Sequence, residues 1–275
     1  MSALQASCVV PAPARCVPRQ AWRNGSTLIG ERTLAEEVPV AFSYDGTTHA
    51  VLMATPDDLE DFALGFSYTE GIVTTPAEIA ELAVVGVADG IVLRMWLTGD
   101  RSDAFAARRR RFVGPAGCGM CGLESLQEAN RATPIANSYL QVSRQDIAEA
   151  VAALPARQQL NMQTRAVHAA AFWRPDQSLV LREDVGRHNA LDKLAGAMLR
   201  ASGSAADGVV VLSSRISIEL VQKVGMMGAA ILIGVSAPTA LAVRTAESTG
   251  LTLLGIARDD GFEVFTHPER IARYW

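Results

Sequence analysis

Residues 208–257, GVVVLSSRISIELVQKVGMMGAAILIGVSAPTALAVRTAESTGLTLLGIA, alternate short apolar runs with segments of helical spacing. Gly208–Leu212, Ala230–Val235 and Leu251–Ala257 read as strands. Ser214–Met227 and Pro238–Thr249 read as helices, the second closed by Gly250. The strand runs are continuously apolar rather than alternating. That pattern belongs to parallel strands covered on both faces, joined by right-handed crossovers. The core expected of this chain is therefore α/β, built on a βαβαβ unit.

Moving outward toward the N-terminus, Ala166–Trp173 and Leu179–Leu181 read as strands around a turn at Pro175-Asp176. Ser143–Leu154 reads as a helix, with Ser143 and Asp146 at capping-box spacing and Ile147, Ala150, Val151 and Leu154 on one face. Leu123–Arg131 can form another helix. Val38–Tyr44 and Thr47–Ala54 form a predicted hairpin on Asp45-Gly46, and Leu82–Val87 and Ile91–Leu97 flank Asp89-Gly90. Between these pairs a helix is predicted to open at Thr55-Pro56-Asp57-Asp58, to carry Leu59, Phe62, Ala63 and Phe66 on one face, and to stop at Gly71. The organisation expected is a mobile leader over 1–30, broken by Pro11, Pro13 and Pro18. A smaller α+β portion over 31–135 and an α/β core over 136–275 follow.

The chain of 275 residues is 49% hydrophobic and 20% charged, which excludes a fully disordered or collagen-like chain. Its net charge of -4 argues against coating nucleic acid. The leader has no basic start followed by an apolar stretch. The longest apolar run, Val224–Val235, is broken by glycines and too short to span a bilayer. A cytoplasmic location is expected, where four cysteines in this length are not a disulfide scaffold. Cys8 and Cys16 in the leader receive no role.

Cys118 and Cys121 form a C-x-x-C in the glycine-rich run Gly114–Gly122, just before a predicted helix and after Arg108–Arg111. Helix N-terminal amides and nearby arginines stabilise a thiolate, and the glycines leave sulfur accessible. A nucleophile, a redox dithiol and half of a metal site all fit the pair alone. The aromatic and βαβ context of a thioredoxin is missing, and so is a second ligand pair for zinc. Pro115 stands near the position it takes in a zinc deaminase, but no H-x-E lies upstream, because His49 is followed by Ala50-Val51.

Two other regions can hold a polar ligand. Arg182–Lys193, REDVGRHNALDK, runs from a strand into a helix whose core face is Leu191, Leu194, Ala195 and Met198. Here Glu183 or Asp184 could orient His188, and Arg187 or Lys193 could meet an anion, unless the cluster only caps the helix. Ser213 and Arg215 follow the first parallel strand, and Ser236 follows the second. These sit at the carboxyl ends where open α/β sheets bind ligands and where helix amides receive phosphate, although each is equally an ordinary cap.

Taken together, Gly117–Gly122, Arg182–Lys193 and Ser213–Ala237 resemble the formate dehydrogenase accessory sulfurtransferases, the FdhD family. Phe62–Phe66 with Glu70-Gly71-Ile72, and Thr266–Arg270, continue the likeness over about Val38–Ile271. The resemblance implies a cytoplasmic homodimer that takes sulfur from a cysteine desulfurase as a persulfide. It passes that sulfur to the molybdenum bis-molybdopterin guanine dinucleotide cofactor of formate dehydrogenase. The persulfide cysteine then lands on Cys118 and its companion on Cys121. The cofactor-contacting stretch lands on Ile256, Ala257, Arg258, Asp259, Asp260 and Gly261. The implied fold is cytidine-deaminase-like without its zinc. Asp259 and Asp260 are acids facing a phosphorylated ligand, which leaves Arg258 or backbone amides for phosphate and the acids for guanine N–H groups. Val167 removes a hydroxyl common before the family's histidine, so His168 receives no catalytic role. Two rival functions remain at this stage, a non-catalytic molybdenum-cofactor chaperone and a thiol oxidoreductase.

Overall fold

Runs such as Val209–Leu212 and Ile231–Gly234 carry no side chain that needs water, and they become the middle of a sheet covered on both faces. The structure, a computed structural model, describes residues 9–112 and 133–272, the side chains of 106–112 excepted. The predicted helix Leu123–Arg131 lies outside the described residues.

Strands β1 (Ala14–Arg23) and β2 (Ser26–Ala35) form an antiparallel hairpin across the stretch expected to be a mobile leader. Its turn is Asn24-Gly25, with φ of 50° and 74°. Asn-Gly accepts both left-handed positions of such a turn, a signal that outweighs the prolines. Pro18 is tolerated because a two-stranded ribbon has free edges.

Strands β3 (Val38–Tyr44) and β4 (Thr47–Ala54) form the expected hairpin on Asp45-Gly46. β5 (Ile79–Val87) and β6 (Gly90–Leu97) form the second, and the sheet order is β4-β3-β6-β5 with β3 and β6 parallel. Helix α1 (Leu59–Thr69) covers one face, packing Phe62, Ala63 and Phe66 with Val40, Phe42, Leu93 and Met95. This helix starts at Leu59 rather than at Thr55, because Thr55 is spent on a buried ion pair described below. α2 (Gly99–Phe112) follows.

α3 (Arg144–Arg157) opens on the predicted capping box. Ser143 Oγ accepts the Asp146 N–H at 3.0 Å, and Asp146 accepts the Ser143 N–H at 2.7 Å. After α4 (Gln159–Thr164) come β7 (His168–Trp173), β8 (Leu179–Asp184) and α5 (Arg187–Arg200). The chain then runs through β9 (Val209–Leu212), α6 (Ile218–Met227), β10 (Ile231–Gly234), α7 (Ala240–Ser248), β11 (Thr252–Arg258) and β12 (Gly261–Thr266).

The second sheet has the order β12-β11-β10-β9-β7-β8. β9, β10 and β11 are parallel, as their apolar runs predicted, while β7 and the unforeseen β12 flank them antiparallel. One face packs Leu191, Leu194, Leu220, Val224 and Ala242 of α5, α6 and α7. The other packs Ile147, Ala150 and Leu154 of α3. Among the described residues no helix is long and apolar enough to cross a membrane.

The two sheets meet where α1 crosses α5. A Cβ built on Gly65 would lie 1.7 Å from the Asp192 carbonyl oxygen, and one on Gly196 would lie 1.9 Å from that of Asp61. At this crossing the two helix backbones are in contact. Buried charges flank it. Arg182 donates to Asp61 through Nε and Nη2 at 2.8 and 2.7 Å. Lys223 pairs with Asp192 at 2.8 Å and with Glu70 at 2.7 Å, and Thr69 donates to Asp192 at 2.6 Å. Burial alone would pull the Lys223 ammonium down, but Asp192 and Glu70 more than offset this and hold it above the ordinary lysine value.

Candidate functional site

β8 and β9 both run antiparallel to β7, so their carboxyl ends lie on the same side of the sheet and the first turns of α5 and α6 start there. Arg187 and His188 open α5. His188 Nε2 lies 3.4 Å from Ser217 Oγ, at the start of α6, and 4.0 Å from Glu219. His168 stands between them at the start of β7, paired in register with Asp184. Ser213 is tied into the same corner. Its Oγ accepts the Ala169 N–H at 2.8 Å, and its own N–H donates to the Ala169 carbonyl at 3.0 Å. Arg187, His188 and Ser213, chosen from sequence, thus share one polar corner. Arg215 is exposed beyond it.

Burial, with the nearby charges of Arg187 and Lys223, pushes the His188 imidazole down to about 4, and burial likewise lowers His168. Both rings are neutral at pH 7. A neutral imidazole contributes no charge toward an anion, so Arg187 is the local cation. The Arg187 Nε is buried and has no hydrogen-bond partner among the described residues, a donor that calls for an acceptor.

The depressed value also fixes a pH dependence. The unfolded chain takes up a proton at His188 near the ordinary value of 6.5, whereas the folded chain resists until about 4. Stability contributed by this residue is complete above 6.5 and is lost as pH falls from there toward 4. Urea denaturation at pH 7.5 and pH 5 should therefore show a smaller acid loss in His188→Gln than in the parent chain. Equal losses would remove His188 from the account.

Two roles considered from sequence are corrected. Lys193 meets no external anion, because it is fully buried and paired with Asp184 at 2.7 Å. Asp184 does not orient His188. It also accepts the N–H groups of Thr55 at 3.0 Å and Gly186 at 2.7 Å, and the Asn189 amide at 2.9 Å. Glu183 instead accepts the N–H groups of Leu160 and Asn161, both at 2.8 Å, at the start of α4. Asp184, fully buried, thereby fills its acceptor sites within the chain, and Glu183 is turned toward the start of α4.

The second region lies on the α3 side of the sheet. A cavity of about 1090 Å³ runs between α3 and β12, with Ala257, Arg258, Asp259, Asp260 and Gly261 on its wall. Arg144 and Gln145, at the start of α3, face them across an apolar floor that includes Ile147, Val151, Phe262 and Val264. Ile256 stands next to this wall at φ 53°, a left-handed conformation that a β-branched side chain disfavours. Its N–H donates to the Ser236 carbonyl at 3.3 Å, so the turn after β10 holds the bulge in β11. His267 ties down the far end of β12 through the Glu247 carbonyl, 2.9 Å from Nε2, and through Glu269 at 3.1 Å.

The cofactor-contacting set is thereby divided. Residues 257–261 line the cavity, Ser236 and Ile256 brace it, and Arg187, His188 and Ser213 lie in the other corner. Arg144 and Gln145 escaped sequence reading because they look like an ordinary solvated first turn. Only the packing of α3 on the sheet, beside β11, turns them toward a cavity. Cys118 and Cys121 lie outside the described residues, as do Pro115 and Gly114–Gly122 as a whole. Cys16, in β1, donates to Glu31 at 3.3 Å, and that hydrogen bond holds its thiol above the ordinary value, the wrong direction for a nucleophile.

Comparison with known proteins points the same way. The chain is 51% identical over 264 residues to the sulfur carrier protein FdhD of Agrobacterium fabrum, covering 95% of this chain and 97% of that one. It is 48% identical over 260 residues to the protein of the same name from Brucella abortus, covering 94% and 97%. Among solved structures it is similar to one from Desulfotalea psychrophila, described as a formate dehydrogenase accessory protein, with TM-score 0.72 and 25% identity over 94% of this chain and 99% of that one. The FdhD/NarQ family model matches residues 35–272, and the chain belongs to the FdhD/NarQ family.

Proposed function

We propose that this protein is a sulfurtransferase that carries sulfur from a cysteine desulfurase to the bis-molybdopterin guanine dinucleotide form of the molybdenum cofactor, for use by formate dehydrogenase. The Cys118 thiolate attacks the outer sulfur of the desulfurase persulfide. A new S–S bond forms on Cys118, the donor S–S bond breaks, and the donor cysteine leaves as thiolate. Cys121 shares or resolves the persulfide. The cofactor is cargo and substrate, delivered to a cytoplasmic formate dehydrogenase, and the carrier works as a homodimer.

The observation that carries this reading is the cavity beside α3. Its wall is formed by the residues that family likeness assigns to the cofactor, and its size suits a nucleotide-sized ligand. Arg144 and Arg258 supply positive charge for phosphate, while Asp259 and Asp260 suit the N–H donors of guanine. The relatives' name as sulfur carriers supports the same reading.

The test is direct. Incubation with a cysteine desulfurase and cysteine, followed by intact and peptide mass under non-reducing conditions, should reveal one added sulfur on Cys118 or Cys121. No added sulfur on either residue would overturn the relay and leave a cofactor-binding chaperone as the better description.

A further inference from the structure

Alternation along the four-stranded sheet assigns its two faces. Val40, Phe42, Ile91, Leu93 and Met95 point toward α1 and are almost wholly buried. The opposite face is formed by Val51 and Met53 of β4, Pro39 and Ala41 of β3, Val92 of β6, and Val85 and Val87 of β5. A sheet face open to water ordinarily alternates to polar residues, whereas this one is mainly apolar, with Ser43 and Thr48 toward one end. Val51 is 58% exposed, Met53 48% and Trp96 44%, and among the described residues no helix packs over them. Val51 and Met53 form one exposed apolar patch and Trp96 a second beyond Arg94, and exposed apolar surface of this kind marks an interface.

Two charged residues interrupt the face, Arg94 on β6 and Glu81 on β5. Glu81 pairs in register with Trp96, and Arg94 with Ala83, so cation and anion sit on neighbouring strands two positions apart. A surface bearing one charge of each sign beside an apolar field is complementary to itself. A two-fold axis parallel to the sheet, lying between two stacked sheets and bisecting the line from Arg94 to Glu81, brings Arg94 of one copy over Glu81 of the other, and the reverse contact follows by symmetry.

Size fits as well. Four strands spaced about 4.8 Å apart and eight residues long give roughly 500 Å² in projection, and side-chain relief adds to this. A stable interface buries about 800 Å² on each partner. The β1–β2 hairpin carries further exposed apolar side chains. It joins the inner strand β3 through Glu36 and Glu37 and exposes Trp22 at 71% and Ile29 at 87%. A two-stranded ribbon alone is marginal in water, so it gains from a neighbour.

We infer that the outward face of the four-stranded sheet is the surface on which a second copy of this chain docks, sheet against sheet. This rests on the homodimer reading above and adds where the two copies meet. Sedimentation velocity on the full chain, with circular dichroism as the check on folding, tests it. The parent chain should sediment as two copies. Val51→Lys and Trp96→Lys, both at exposed positions, should sediment as one copy with unchanged dichroism. Arg94→Glu should weaken the dimer, and the double variant R94E/E81R should restore it. A monomeric parent overturns the interface together with the homodimer reading. A dimer that survives both lysine variants overturns the interface alone. The sulfur-transfer reading is judged separately, by the mass of Cys118.

Discussion

Gly65→Ala and Gly196→Ala are each expected to cost more than about 3 kcal/mol and to leave much of the chain insoluble. Overpacking in a well-filled core usually costs about 1–3 kcal/mol, when side chains can shift aside. Here the obstacle is backbone. The new methyl group would stand 1.7 Å from the Asp192 carbonyl oxygen in one case and 1.9 Å from that of Asp61 in the other. Relief requires α1 and α5 to move apart, and both Asp192 and Asp61 sit at the contact. Separation would stretch the Thr69 and Lys223 bonds to Asp192 and the Arg182 and Arg200 bonds to Asp61. Because breaking a buried charge pair is itself costly, the effects compound. Gly99→Ala is the control, since a methyl there meets nothing within 4 Å. It should be neutral or slightly stabilising, as expected for alanine within a helix. Urea denaturation reads all three. A Gly65→Ala protein as stable as the Gly99→Ala control would mean that the helices do not touch as described.

Cys118→Ala is expected to abolish formate dehydrogenase activity in a complementation assay, a loss of at least about a hundredfold, because a relay without its sulfur acceptor has no alternative route. The same variant should bind guanosine diphosphate as well as the parent does, measured by calorimetry, since residues 257–261 and the start of α3 line the proposed nucleotide cavity. Cys121→Ala should retain part of the activity if Cys121 only resolves the persulfide. Full activity with Cys118→Ala would favour the chaperone reading, in which the protein binds and delivers cofactor without carrying sulfur.

These two results address different levels of the molecule, and the sequence speaks unequally to them. Continuous apolar runs foretold β9, β10 and β11 as parallel strands, since a chain buried on both faces has no place for polar alternation. Local chemistry foretold the Asp45-Gly46 hairpin and the Ser143 capping box, because a turn or a cap is decided within four residues. The Asn24-Gly25 signal was equally local, but Pro11, Pro13 and Pro18 before it obscured it. The start of α1 could not be read locally at all. Thr55 looks like a cap, but its backbone and hydroxyl are engaged by Asp184, Lys193 and Val185, more than a hundred residues away.

The candidate site divides along the same line. Residue types determined the chemistry on offer: thiols in a glycine-rich run of sequence, an arginine and a histidine at a helix start, and the stretch 256–261. Which of them work together was decided by tertiary structure. It buried Lys193 against Asp184, placed His188 beside Ser217 with a depressed pKa, and set residues 257–261 on a cavity whose opposite wall is α3. The physical reason is the range of the forces involved. Periodicity and turn geometry are encoded between neighbours, whereas burial, ion pairing and cavity shape depend on segments that meet only after the chain has folded.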